Sequence, residues 1–173
     1  MNVRLLNWQH VYKIKPYRND FAAIVERVLQ TSDPLMELER EGVKLEVNVV
    51  FAGPSQIRKL NRDTRSMDAT TDVLSFPMHE FRNGQPLRPF YDYDFEWTAQ
   101  GKRIFLLGDV VICPKRAAEQ AEMIGQDLTA ELSYLLLHGL FHLLGYDHID
   151  AVDARLMRAM EKSIIEDKED SDD

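Results

Sequence analysis

The chain has 173 residues, 45% of them hydrophobic and 29% charged, which suits one soluble globular domain with a real core. The net charge of −8 argues at first against a nucleic-acid partner, but the segment Glu166–Asp173 supplies most of it. A lone cysteine, Cys113, excludes an internal disulfide. CxxC, GxxxxGK[ST] and GxGxxG motifs do not occur, which excludes thiolate–zinc, P-loop and dinucleotide sites.

Export and membrane insertion are also disfavoured. The N-terminal residues MNVRLLNWQHVYKIK interleave charges with apolar side chains and lack the continuous apolar stretch of a signal peptide. The longest run without Asp, Glu, Lys or Arg is Leu132–Tyr146, which is shorter than the roughly 20 residues that a membrane span needs. We therefore expect a cytoplasmic protein without a membrane contact.

In the first part of the chain, the spacing of apolar residues predicts two strands and two helices. Val3–Trp8 is a short apolar run, and Val43–Gly53 alternates and is rich in β-branched residues, as strands are. Helical spacing follows Pro16, and a second helix is expected to start at Pro54. The intervening SDPLMELEREG is a polar connection or a helix extension.

The middle of the chain predicts two strands separated by a long excursion. The first strand, VLSFP, ends at Pro77, and the second, RIFLLGDVVICP, is interrupted at Gly108, where a β-bulge is expected. Between them, Met78–Lys102 is rich in proline, glycine and aromatic residues and shows no clear periodicity. Loops of this length inside a compact domain are usually functional or mobile.

Three helices are expected in the last part of the chain. Gly125 closes the first helix, Asp127 caps a long second helix that runs through Leu144, and Ala151–Ile165 forms the third. Strands and helices are mixed along the chain, so we predict an α/β (α+β) fold: a mixed four-stranded sheet packed with about five helices. The single domain would cover residues 1–165, and residues 166–173 would form an acidic tail.

The long helix carries a cluster of histidines, because HGLFHLLGYDH has the spacing HxxxHxxGxxH. His138 and His142 lie one helical turn apart on one face, which suits two ligands of a tetrahedral zinc ion. Gly145 can take the left-handed conformation that ends a helix, so the chain can turn back and bring in His148. Three protein ligands leave the fourth position open, as in catalytic zinc sites. We predict one Zn²⁺ per chain, in a site that also suits nickel or another divalent ion.

The same spacing occurs in zinc proteases, in which a glutamate after the first histidine is the general base. Here that residue is Gly139. A metal ion can activate water without this glutamate, and a glycine would leave room beside the metal. Hydrolysis of peptides becomes less favoured, and a substrate that carries negative charge becomes more favoured.

Arginines line one face of the helix that follows Gly53. Arg58, Arg62 and Arg65 recur at i, i+4 and i+7, which on its own is typical of a solvated basic face. Beside an open metal site, aligned guanidinium groups would also bind phosphates and stabilise charge on a transferring phosphoryl group.

Three segments together resemble the bacterial YbeY endoribonuclease family: LNRDTRSMDATTDVLSFP, LLGDVVICP and HGLFHLLGYDH. The resemblance implies a single-strand-specific, metal-dependent endoribonuclease that matures the 3′ end of small-subunit ribosomal RNA and acts in ribosome quality control. Its partners would be single-stranded RNA, ribosomal RNA and the small ribosomal subunit. By motif position, His138, His142 and His148 match the metal ligands, and Arg65 matches the arginine tied to activity. The segment between Pro77 and Leu106 looks longer than is usual in the family.

Other residues have open interpretations. Asp147 could orient a histidine, serve as a base or satisfy the backbone of a turn, and Asp109 is a candidate neighbour of the metal site. Asp72 is expected to hold a turn together. Arg58 and Arg62 would position the RNA strand through its phosphates. The aromatic residues of the excursion form either a small core or a surface that stacks unpaired bases.

Two rival functions remain at the level of sequence. One is a ribosome assembly factor that binds zinc without turnover, and the other is a zinc peptidase with an unusual base. The sequence gives no expectation for the oligomeric state, the attacking nucleophile or the general base.

Overall fold

The computed structural model describes residues 2–169, with side chains described up to residue 165, and its elements follow the predicted pattern closely. The strands are β1 (Asn2–Asn7), β2 (Lys44–Phe51), β3 (Val73–Pro77), β4 (Phe81–Arg82), β5 (Gln85–Pro86), β6 (Glu96–Trp97) and β7 (Arg103–Ile112). The α-helices are α1 (Arg18–Leu29), α2 (Asp33–Arg40), α3 (Pro54–Arg65), α4 (Pro114–Ile124), α5 (Leu128–Leu143) and α6 (Ala151–Glu169).

One mixed sheet organises the fold. Its strand order is β1-β2-β7-β3, in which β1, β2 and β7 are parallel and β3 is antiparallel to β7. The short β6 also pairs with the beginning of β7, so this sheet has one strand more than the sequence predicted. Helices α1, α5 and α6 contribute to the main core on one face, and α3 packs against the other face. The α+β fold class is therefore confirmed, with six α-helices in the described part of the chain.

Helix α2 resolves the ambiguous SDPLMELEREG segment as a separate helix, since Leu35 and Leu38 are buried in the main core. The C-terminal helix α6 continues past Ile165 to Glu169. The predicted acidic tail therefore begins inside α6, and its remaining residues lie outside the described part of the chain.

Helix α5 is buried on most of its surface, which explains the long stretch without charges. The Asp127 carboxylate accepts a hydrogen bond of 2.7 Å from the Thr129 backbone N–H and caps the helix, as predicted. Within residues 2–169, no helix is both long enough and apolar enough to cross a lipid bilayer.

The predicted bulge lies in β7 at Gly108, which has a φ of +150°. In the register of the two strands, Glu46 of β2 pairs with Leu106 and Asn48 pairs with Asp109. Two residues of β7 therefore lie opposite Val47, where a regular strand would have one. The extra residue shifts the alternation of the strand, so that Leu107 and Val110 both enter the main core. Asp109 is therefore turned toward the opposite face of the sheet.

The excursion 78–102 is more ordered than its sequence suggested, with β4 and β5 forming a short hairpin. Its phenylalanines form a small core on Phe105 of β7: the ring centroid of the half-buried Phe90 lies 4.7 Å away and that of Phe95 5.8 Å away. Tyr91 and Tyr93 remain exposed and stack on each other, with Arg88 over both rings. The phenylalanines thus take the core role, while the tyrosines stay on the surface.

The buried carboxylate of Asp94 stabilises the same excursion through hydrogen bonds. Both oxygens of Asp94 accept hydrogen bonds of 2.7 Å from the Arg88 guanidinium group, and one also accepts from the Tyr91 backbone N–H. These contacts lower the pKa of Asp94 from 3.8 to about 2. Because the pKa is lower in the folded state, ionised Asp94 stabilises the fold above the unfolded pKa, and this stabilisation is lost as the pH falls toward 2.

We therefore expect Asp94→Asn to lower the free energy of unfolding by about 1–2 kcal/mol at neutral pH, with the exposed partner Arg88 limiting the effect. The difference from the wild type should shrink as the pH falls from about 4 to about 2. Urea denaturation across this pH range measures both effects. Asp92→Asn, at an exposed position in the same turn, is the control, and an Asp94 variant as stable as this control would contradict the prediction.

Candidate metal centre

Three histidines converge at the C-terminal end of α5. His138 and His142 lie on successive turns, and their Nε2 atoms are 3.1 Å apart. His148 lies in the loop that follows the helix, and one ligand atom from each of the three residues lies within 4.8 Å of the others. The structure thus brings together the three residues that the spacing predicted as ligands.

The turn that returns His148 to the helix depends on Gly145, whose φ is +74°. A Cβ atom at this position would overlap the backbone carbonyl of Phe81, so only glycine fits. The β4–β5 hairpin is bonded to the same turn: the Gly84 N–H donates to the Leu144 carbonyl at 2.9 Å, and the Asn83 N–H donates to the Gly145 carbonyl at 3.3 Å. The excursion therefore supports the loop that carries the third histidine.

The hydrogen bonds of the two helical histidines fix their tautomers. His142 Nδ1 lies 3.0 Å from the Tyr146 carbonyl, which only accepts, so this nitrogen carries the proton. His138 Nδ1 lies 2.7 Å from Oε1 of Glu161 and donates to that carboxylate. In both rings Nε2 is left with a lone pair that faces the centre of the cluster.

The distance between these facing lone pairs indicates whether a metal ion fits the site. At 3.1 Å the two nitrogens repel each other unless a cation lies between them, either a metal ion or a shared proton. Two imidazoles on a tetrahedral zinc ion have their nitrogens ~3.3 Å apart, since Zn–N bonds are ~2.0–2.1 Å long. A third imidazole within 4.8 Å makes a divalent metal ion the occupant that this donor set fits best.

The electrostatics of the cluster favour a neutral His142. Burial, together with the proximity of the His138 and His148 imidazoles, lowers the pKa of His142 from 6.5 to about 4. At neutral pH its ring is therefore uncharged and needs to lose no proton to bind a metal. His148 is exposed whereas His138 and His142 are half-buried, so the cluster opens to solvent on the side of His148.

Gly139 has a different role from the one expected, because the space beside it is filled. A Cβ atom there would lie 2.6 Å from Cγ1 of Val110 and 3.0 Å from Oγ of Ser75. The Ser75 hydroxyl also donates a hydrogen bond of 3.0 Å to the Gly139 carbonyl. The idea that this glycine leaves room beside the metal is therefore wrong, since it lets α5 approach the sheet. The proteolytic glutamate is absent all the same.

We expect Gly139→Ala to lower the free energy of unfolding by about 1–2 kcal/mol, because overpacking Val110 outweighs the higher helix propensity of alanine. Thermal or urea denaturation measures the change. The same substitution in a Val110→Ala background should cost less, because the colliding methyl groups are gone. An equal cost in both backgrounds would show that this contact is not the cause.

The arginine face divides into paired and unpaired residues. Arg58 donates to both carboxylate oxygens of Asp68, at 2.9 and 2.8 Å. Arg62 lies 3.3 Å from Asp63 and 3.8 Å from Asp68. Arg65 is exposed in the last turn of α3, and no carboxylate in the described part of the chain pairs with it. Of the three guanidinium groups, that of Arg65 is the one free to bind an anion.

The structure also locates the aspartates named from the sequence. Asp147 accepts a hydrogen bond of 2.7 Å from the His148 backbone N–H and so shapes the loop. Asp72 accepts bonds from Thr71, Gln120 and the Val73 backbone, as expected for a residue that holds a turn.

Asp109 does not join the histidine cluster. It lies on the sheet face opposite to α5 because of the β7 bulge, and it accepts a hydrogen bond of 2.7 Å from Asn48. Asp109 is thus not one of the clustered donor residues, and a role for it near the metal stays a prediction.

Sequence reasoning missed Glu161, which contacts His138 from α6. The residue is 6% exposed and lies on the buried side of α6 with Ala154, Met157 and Ile164. The spacing of these four residues, at i, i+3, i+7 and i+10, was available in the sequence. A glutamate within such an apolar stripe signals a buried partner, because an unpartnered buried carboxylate is costly.

Comparisons with known proteins identify the relatives of this chain. The sequence model described as "Endoribonuclease YbeY" matches residues 7–169. A protein named Endoribonuclease YbeY from Clostridium beijerinckii is 33% identical over 143 residues, which cover 82% of this chain and 86% of that protein. Another of that name, from Finegoldia magna, is 44% identical over 120 residues, which cover 69% and 67% of the two chains.

Among solved structures, the solution structure of a Thermotoga maritima protein aligns with a TM-score of 0.54. The alignment covers 98% of this chain and 93% of that one at 19% sequence identity, which supports the fold alone. The fold, the histidine cluster and the family match over nearly the whole chain lead to one conclusion: the chain belongs to the YbeY endoribonuclease family.

Proposed function

We propose that this protein is a zinc-dependent endoribonuclease that cleaves single-stranded RNA in the cytoplasm. The proposal rests on one combination: an open cluster of three histidines in a chain whose relatives are named endoribonucleases. Its substrate would be the 3′ region of small-subunit ribosomal RNA, with a further part in ribosome quality control and contact with the small ribosomal subunit.

The histidines and the arginines would have different roles in the reaction. His138, His142 and His148 would hold the zinc ion, which when bound supplies Lewis acidity toward a phosphodiester. Arg65 would bind the phosphate and stabilise the charge that develops on it, because its guanidinium is free of carboxylates. Arg58 and Arg62 would have to leave Asp68 and Asp63 to contact the strand, so we assign them a weaker, steering contribution.

Asp147 would act through the loop, by bonding the His148 backbone and keeping that ring over the cluster. The zinc-peptidase alternative gains no support from the site, because Gly139 packs on the sheet where such enzymes carry their base. A role as an RNA-binding assembly factor without turnover predicts the same metal site, so only a cleavage assay separates the two.

The test is cleavage of an end-labelled single-stranded RNA by zinc-loaded protein and by the same protein after chelation. A duplex of the same sequence serves as the control substrate. Internal cleavage of the single strand by the loaded protein alone would support the proposal. Zinc-loaded protein that retains RNA without cutting it would favour the assembly factor and would contradict the proposed turnover.

A further inference from the structure

Glu161 is a buried carboxylate with one prominent partner. It is 6% exposed and lies between apolar residues of α6, an environment in which an ionised carboxylate is costly unless it is bonded. The partner is His138, whose Nδ1 lies 2.7 Å from Oε1 of Glu161. The contact joins α6 to the metal cluster across 23 residues of sequence.

The direction of this hydrogen bond matters for the cluster. Because Nδ1 of His138 donates to Glu161, Nε2 keeps its lone pair and points toward His142. A carboxylate behind a histidine ligand fixes the ring and its tautomer and makes the ligand more basic. His142 receives the equivalent support from the backbone carbonyl of Tyr146, which a side-chain substitution does not remove.

We propose that Glu161 is a positioning residue of the metal centre, which holds the His138 ring in the orientation and tautomer that bind the metal. The assignment rests on the metal centre proposed above. It predicts that Glu161 changes the affinity for the metal itself, and therefore that its effect is measurable without any RNA.

The experiment compares Glu161→Ala and Glu161→Gln with the wild type by competition for zinc against a chromophoric chelator. Glu161→Ala is expected to weaken zinc binding by about 10–100-fold, because it removes both the hydrogen bond and the charge. Glu161→Gln should fall between, because its amide oxygen accepts the N–H bond without a charge. Glu131→Gln is the matched control, since Glu131 is also 6% exposed but makes no hydrogen bond to a ligand histidine in residues 2–169.

Two measurements on metal-free protein separate positioning from general stability. The Tm values show whether each variant is folded, and ¹H–¹⁵N NMR of the wild type should show His138 with its proton on Nδ1. Weaker zinc binding by a folded Glu161 variant, with Glu131→Gln unchanged, would support the proposal. Zinc affinity of Glu161→Ala within about twofold of the wild type would overturn it. A wild type that binds no zinc would overturn the metal centre, and the role of Glu161 with it.

Discussion

Replacing His142 with alanine is expected to abolish zinc binding and RNA cleavage together. Its ring is the central member of the cluster, 3.1 Å from His138 and held at Nδ1 by the Tyr146 carbonyl. Loss of a residue that merely supports a ligand costs about 10–100-fold in metal affinity, so loss of a ligand should exceed about 100-fold. Zinc content by mass spectrometry and the rate of cleavage measure the two losses.

The matched control is His10→Ala, because His10 is exposed and does not belong to the cluster. It should bind one zinc ion per chain and cleave RNA at the wild-type rate. A His142→Ala protein that lacks zinc but still cleaves at that rate would show that the metal is not part of the reaction.

Replacing Arg65 with alanine is expected to leave zinc bound and to reduce the rate of cleavage by about 10²–10³-fold, the usual loss for a group that stabilises transition-state charge. The reason is the separation of roles in the chain: the histidines proposed to bind the metal lie on α5 and its following loop, whereas Arg65 ends α3. Single-turnover rates at saturating RNA, together with zinc content, measure the effect.

Two further substitutions sharpen this result. Arg65→Lys keeps the charge but loses the planar fork, so it should recover only part of the rate. Arg58→Ala should stay within a few-fold of the wild type, because Arg58 is already bound by Asp68. Full activity of Arg65→Ala, or an equal loss in Arg58→Ala, would remove the special role of Arg65.

The parts of this protein that sequence predicted well are encoded locally. The proximity of His138 and His142 follows from helical spacing, because the two residues share one face of a helix whatever the rest of the fold does. The Gly145 turn and the Gly108 bulge follow from a backbone conformation that glycine adopts readily. Each of these features depends on a few neighbouring residues, so one sequence is enough to find it.

The sequence was least informative at positions where distant segments of the chain meet. The bulge turns the Asp109 side chain toward Asn48, an orientation that the sequence did not predict. Gly139 looked like empty space, but Val110 and Ser75 come from strands that helical periodicity does not reveal. His79 stacks on Phe105 with ring centroids 4.1 Å apart, a contact between segments that the sequence alone does not reveal. Register and packing decide these positions.

Hydrogen bonds join the β4–β5 hairpin to the turn after α5, two segments that lie far apart in the sequence. Ser32, which is fully buried, donates to the Gly84 carbonyl at 2.7 Å and extends the connection to the beginning of α2. By thermodynamic linkage, a ligand that binds the loop of His148 also stabilises whatever that loop is bonded to. We therefore expect metal binding at the histidines and the stability of the hairpin to be coupled, so that a substitution in the hairpin, far from the histidines, would change the affinity for the metal.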